Sequence, residues 1–177
     1  MLIPEPTVEH LNWENFVSYL SANIEGFVLV FITVVFTIIY WLQSNVLFGN
    51  LRYSDSRHTI LSILQLFFLL MFLLSLALGL ELGGATLTRV FESIAAAMVG
   101  ISGGWGWSYA VKNHRLLWPE VTEQYAYQLR DRILAEPITA IVTIPFAFIG
   151  AIYWEIAWLT YPLTVWLVKQ RRLAKKV

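Results

Sequence analysis

Residues 58–80 read HTILSILQLFFLLMFLLSLALGL, with no Asp, Glu, Lys or Arg among them. A membrane crossing takes about 20 mostly apolar residues to cover roughly 30 Å of hydrocarbon. This stretch is long enough for one crossing and predicts a membrane helix. Asp55 and Ser56 stand just before it, supplying the side-chain oxygen that a helix start uses to satisfy its first backbone N–H groups.

Working outward, GFVLVFITVVFTIIYWL, residues 26–42, is a second candidate, ending on Tyr40 and Trp41 as interfacial aromatics. A third covers about Thr88 to Val111, richer in small residues and finished by Trp105, Trp107 and Tyr109. The run from Ile133 to Val168 is too long for one crossing and fits two short ones. Its natural turn lies at Gly150 to Glu155, because Glu155 is the run's charged residue after Glu136. Before the first span, Trp13, Phe16, Val17, Leu20 and Ile24 recur at helical spacing, opposite Glu9, Glu14, Asn15, Ser18 and Ser21. That pattern reads as an amphipathic helix at the interface, with a stalk extending the first span as the alternative. HRLLWPEVTEQYAYQLRDR, residues 114–132, is a charged connection expected to hold a short helix after Pro119. Pro137 is expected in the first turn of the helix that follows, where its missing N–H costs nothing.

The whole composition agrees. Of 177 residues, 58% are hydrophobic and 14% charged, against about 25% charged in soluble domains; the mean hydropathy is +0.63. A formal net charge of zero argues against a nucleic-acid partner. The absence of cysteine removes disulfides, thiolate metal sites and thiol redox chemistry. His10, His58 and His114 are too far apart for metal-ligand spacing, so no metal or other cofactor is expected. Neither GxSxG nor HExxH occurs, no catalytic set is apparent, and the chain reads as a non-enzyme. The first ten residues, MLIPEPTVEH, lack the basic and apolar regions of a cleavable signal.

Lys and Arg set the orientation. Residues 1–51 contain neither, Arg52 and Arg57 flank the first loop, and Lys112, Arg115, Arg130 and Arg132 flank the third. Lys169, Arg171, Arg172, Lys175 and Lys176 form the tail, while the opposite segments hold only Arg89. Five spans with the N-terminus outside put every basic cluster in the cytoplasm, whereas four spans leave one on the wrong side. The expected fold is therefore an all-α bundle of about five transmembrane helices, with its C-terminus cytoplasmic. Residues 1–25 form an extracytoplasmic tail with the interfacial helix, 26–170 the five-helix domain and 171–177 a basic cytoplasmic tail.

Three patterns bear on function. Glu25, Glu92, Glu136 and Glu155 each fall within a turn or so of a span's end, away from the midplane, which disfavours a carboxylate-driven transporter. Ala96, Gly100, Gly104 and Ser108 recur every fourth residue, a strip that lets a neighbouring backbone approach closely. The same segment, GISGGWGW, has a second reading as a carbonyl-lined ion filter; close packing is preferred. Thr33, Thr37, Tyr40 and Ser44 make a polar stripe on the first span, and Gln65 with Ser62 is a similar pair on the second. Such groups either bond to helices or line a permeation path, and both readings stay open.

The stretches IIYWLQSNVLFGNLRYSDSRHTILSILQLFFLLMF (38–72) and WSYAVKNHRLLWPEVTEQYAYQLRDRILAEPITAIVTIPFAFIG (107–150) resemble the second and third, and the fourth and fifth, helices of a known family. It is the transmembrane protein 175 family of endolysosomal and prokaryotic potassium channels, and the resemblance runs from about Trp13 to Arg172. It implies a membrane protein with potassium permeation as its inherited activity, tetrameric like the prokaryotic members, in the bacterial inner membrane. The family's first helix, with an Arg followed by Phe-Ser-Asp, lines its pore. LIPEP at 2–6 is similar to the residues just after that helix, so this chain is expected to start where the pore helix ends. Where the family often has His, this chain has Ser44-Asn45, and Gln65 sits near the family's Asn. Two functions follow as expectations: a cation-permeating homo-oligomer, or a non-conducting accessory subunit docked on a partner membrane complex.

Overall fold

A computed structural model describes residues 13–174, apart from the side chains at positions 15, 25, 29, 32, 36, 172 and 174. The described residues are all-helical. Seven α-helices run in order: α1 (Trp13–Ala22), α2 (Ile24–Gly49), α3 (Ser56–Glu81), α4 (Thr86–Val111), α5 (Glu123–Ile149), α6 (Ala151–Trp158) and α7 (Tyr161–Ala174). One 3-10 turn, Lys112–His114, follows α4. The chain forms two compact units, Met1–Ser44 and Asn45–Val177, divided within α2. The N-terminal part of the expected tail (residues 1–12), the LIPEP segment and Lys175 to Val177 lie outside the described residues.

In the first unit, α1 leaves Trp13, Phe16 and Val17 exposed, and the Trp13 and Phe16 rings stand 5.8 Å apart. Asn23 breaks the helix by turning its own amide onto the Tyr19 carbonyl, 2.9 Å away, before α2 begins.

The second unit is built around α4, which packs on α3 along one side and α5 along another. Its glycines explain how. A methyl added to Gly100 would run into the Pro137 ring of α5, with the Pro137 nitrogen 3.0 Å away, and one on Gly104 would meet Leu134 Cδ2 at 2.9 Å. Gly103 and Gly106 serve the other side, against Gln65 and Leu61 of α3. The missing side chains at Gly100 and Gly104 let α4 approach α5 closely and the one at Gly103 makes room for the Gln65 amide, whereas a methyl at Gly106 would make only ordinary contact with Leu61, 3.6 Å away. Trp107 anchors one end of α4: it is 1% exposed, and its Nε1 donates to the Ala126 carbonyl of α5 at 2.9 Å. Around it gather Leu51, Ala110, Leu116, Leu117, Leu129 and Ile133.

Asp55 caps α3, its carboxylate accepting from the His58 amide at 2.9 Å. The turn to α4 uses Gly83 and Gly84 at φ +59° and +65°, the left-handed region that glycine enters without a Cβ clash.

Three expectations about the second half need correcting. No separate short helix follows Pro119: Thr122 caps α5, accepting from the Tyr125 amide at 3.3 Å, and one helix runs from Glu123 to Ile149. Pro137 and Glu136 therefore lie in the middle of a helix and not at its start. Gly100 gives the proline ring its space, so contact with α4 offsets the hydrogen bond that Pro137 cannot donate. The predicted turn at Gly150 to Glu155 is shorter than expected. It breaks at Gly150 and helix resumes at once as α6, which contains Glu155. A second break falls at Leu159 and Thr160, and α7 starts at Tyr161-Pro162, where a proline in the first turn gives up no intrahelical hydrogen bond.

By length and composition, α3 and α5 can each cross a membrane, with mean hydropathy 2.6 and 1.6 over their most apolar windows. The apolar surface of α3 is largely uncovered: Ile60, Ile63, Leu66, Phe67 and Leu70 are 50–63% exposed.

Candidate functional site

The two basic loops meet at one end of the second unit. After α2 the chain turns at Asn50 and Leu51; after α4 it turns through Asn113 and His114, both left-handed at φ 58° and 50°. Leu51 and Leu117 then pair as an isolated antiparallel bridge. The Arg52 amide donates to the Leu116 carbonyl at 2.8 Å and the Trp118 amide to the Asn50 carbonyl at 3.2 Å. Two short loops are thereby locked together through backbone bonds, with Leu51, Leu116 and Leu117 buried beneath.

A polar clasp reinforces the bridge. The Tyr109 hydroxyl donates to Asp55 Oδ2 at 2.5 Å, and Arg115 Nη1 donates to the Tyr109 oxygen at 2.8 Å. The Arg115 guanidinium also lies over the Tyr109 ring, 4.9 Å from its centre. Tyr53 donates to the Arg115 carbonyl at 2.5 Å. The Tyr109 hydrogen bond, followed by the His58 amide, holds the Asp55 carboxyl below the usual carboxylate range against the opposing effect of burial; the Arg115 charge adds to the lowering. Arg115 is pushed up, first by its bond to Tyr109. Beside the clasp lies an open hollow of about 450 Å³ lined by Arg52, Tyr53, His114, Arg115, Leu117 and Pro119.

Comparison with family models, curated proteins and solved structures returns no match.

Thr33, Thr37, Tyr40 and Ser44 all lie on α2 in the first unit. Thr37 Oγ1 donates to the Thr33 carbonyl at 2.8 Å, so that hydroxyl is satisfied on its own helix. Tyr40 is buried, 8% exposed, whereas Thr33 and Ser44 are half-buried. Gln65 belongs to the second unit, where its amide sits against Gly103. Ser62, its companion, donates to the His58 carbonyl at 3.0 Å. On α4, Ala96, Gly100 and Gly104 are buried and Ser108 is half-buried. Gly100 and Gly104 look toward α5. Among the described residues, no cluster of His, Asp and Glu has the makings of a metal site.

Sequence reasoning missed the second polar set altogether. The hydroxyls of Ser93 on α4 and Thr143 on α5 lie 2.8 Å apart, and Trp154 Nε1 of α6 donates to Ser93 Oγ at 2.9 Å. The Thr139 hydroxyl of α5 lies 2.6 Å from that of Thr164 on α7. Ser93, Thr139 and Thr143 have no exposed surface. These contacts tie α4 to α6 and α5 to α7.

Proposed function

We propose that this protein is a five-span integral membrane protein that serves as a helix-packing, non-conducting accessory subunit. In this reading α2, α3, α4 and α5 each cross once, and α6 with α7 makes a broken fifth crossing. The N-terminus is outside and the C-terminus cytoplasmic, in a bacterial inner membrane. The outward apolar face of α3 supports membrane burial. Leaving its five large side chains half in water would forfeit roughly 5–9 kcal/mol, as much as the net stability of a typical domain. The bridge between the Arg52 and Arg115 loops supports the orientation, since both basic loops then lie on one side.

The observation that carries the accessory reading is how the buried hydroxyls are used. Ser93, Thr139, Thr143 and Thr164 bond to one another and to Trp154 or to their own helices, and Ser102 bonds to the Met98 carbonyl. Groups used this way hold helices together and leave no free face for water. A homo-oligomer, tetrameric as the resemblance to the potassium-channel family implies, or a larger membrane complex would cover part of the remaining apolar surface.

The second reading, potassium permeation, is favoured by α2. The hydroxyls of Thr33 and Ser44 make no hydrogen bond within the chain among the described residues, which suits a wetted stripe. Potassium-driven dye quenching in liposomes separates the two readings. The accessory reading predicts flux no greater than in empty liposomes, with an ionophore confirming the assay. Robust selective flux abolished by Thr37→Leu would replace it with the permeation reading.

A further inference from the structure

The hollow beside the loop clasp has a basic lining. Its volume of about 450 Å³ falls within the range of small-ligand sites, about 300–1,000 Å³. Three of its six lining residues are Arg52, Arg115 and His114, and none is Asp or Glu. Arg115 is fixed in place by one hydrogen bond and by stacking on Tyr109, which uses one of the five N–H donors of a guanidinium. Arg52 and His114 make no side-chain hydrogen bond or ion pair among the described residues. The backbone under both arginines is held too: Arg52 by its bond to Leu116, and Arg115 by the Tyr53 hydroxyl on its carbonyl. Two guanidiniums carried on held backbone, with unused donors and with Leu117 and Pro119 as apolar lining, match the planar, forked recognition of phosphate oxygens.

We propose that this hollow binds a phosphate-bearing anion, with Arg52 and Arg115 as its principal contacts. A lipid headgroup and a soluble phosphate share that chemistry. The lipid source rests on the five-span reading, which puts the hollow at the cytoplasmic headgroup level. Trp118, 43% exposed between the lining residues Leu117 and Pro119, suits such a level.

The test uses the full chain in phosphatidylcholine nanodiscs with or without phosphatidylglycerol. Retained phosphatidylglycerol is read by native mass spectrometry, and pyrophosphate binding is read by thermal shift in the discs that lack it. Variants are Arg52→Gln, Arg115→Lys and Arg57→Gln. Arg57 is a neighbouring exposed arginine outside the hollow, and Arg115→Lys keeps the charge while losing the fork. The expected result is selective phosphatidylglycerol retention, about tenfold weaker in Arg52→Gln and Arg115→Lys and unchanged in Arg57→Gln. Pyrophosphate protection with the same dependence but no lipid retention supports the site and assigns it to a soluble phosphate. It also separates the site from the membrane reading. Equal losses in Arg52→Gln and Arg57→Gln, or no binding of either probe, would overturn the proposal.

Discussion

Gly100→Ala is the most revealing single substitution in the helix bundle. The added methyl would overlap Cδ of Pro137 and lie 3.0 Å from its nitrogen and 3.1 Å from Cγ. A proline ring inside a helix cannot swing aside as a flexible side chain does, so α4 and α5 must separate. Overpacking typically costs about 1–3 kcal/mol, and this site belongs at the top of that range. Alanine recovers about 1 kcal/mol of helix propensity relative to glycine. The net loss is about 2 kcal/mol, which corresponds to a fall in melting temperature of about 4–8 °C for a chain of this size. Gly79→Ala in α3 is the matched control, because nothing lies within 4 Å of the new methyl. It should be neutral or stabilising by up to about 1 kcal/mol. Both proteins would be melted in the same neutral detergent, with size-exclusion elution checked alongside. If Gly100→Ala melts at or above Gly79→Ala, α4 and α5 do not approach each other as described.

Other substitutions probe other contacts. Gly103→Ala should cost less than Gly100→Ala, since its methyl meets the flexible end of Gln65, and Gln65→Ala should rescue it in the same melt. Ser93→Ala removes the shared partner of Thr143 and Trp154 and should lower stability by about 0.6–2 kcal/mol, judged by thermal unfolding in detergent. Asp55→Asn should loosen the loop clasp at neutral pH. Because the folded-state pKa of Asp55 is depressed, its contribution is present above the ordinary value of 3.8 and is lost as pH falls below it. The melting difference between wild type and Asp55→Asn should therefore begin to shrink as pH falls through about 3.8 and close only below the depressed folded-state pKa; a gap that does not shrink with acidification contradicts the clasp.

Much of the architecture was legible in the sequence because it depends on local signals. The charge-free run after His58, with Asp55 before it, marks α3 and its cap. Within the four-residue spacing of Ala96, Gly100, Gly104 and Ser108, the two glycines lie against Pro137 and Leu134 of α5. The second face, Gly103 and Gly106 against Gln65 and Leu61, needed the position of α3. Pro137 read as a helix start because a proline's ordinary cost inside a helix is visible in sequence, while the glycine that accommodates it lies 37 positions away in another helix. The clasp was hidden for a similar reason. Asp55 and Tyr109 are 54 residues apart, and Trp154 and Ser93 are 61 apart. No periodicity encodes such pairs. The basic loops were visible as charge, but their backbone bridge was not.

Topology is the most direct test of the account. The chain has no cysteine, so single cysteines can be introduced at Ser18, Leu82, Lys112 and Lys169 without background. These positions lie in α1, at the end of α3, just after α4 and in α7, and all four are exposed. In intact cells, an impermeant thiol reagent should label Ser18→Cys and Leu82→Cys, and should reach Lys112→Cys and Lys169→Cys only after permeabilisation. Labelling of Leu82→Cys and Lys112→Cys from the same side, or the reverse of the whole pattern, would contradict a five-span protein with its N-terminus outside.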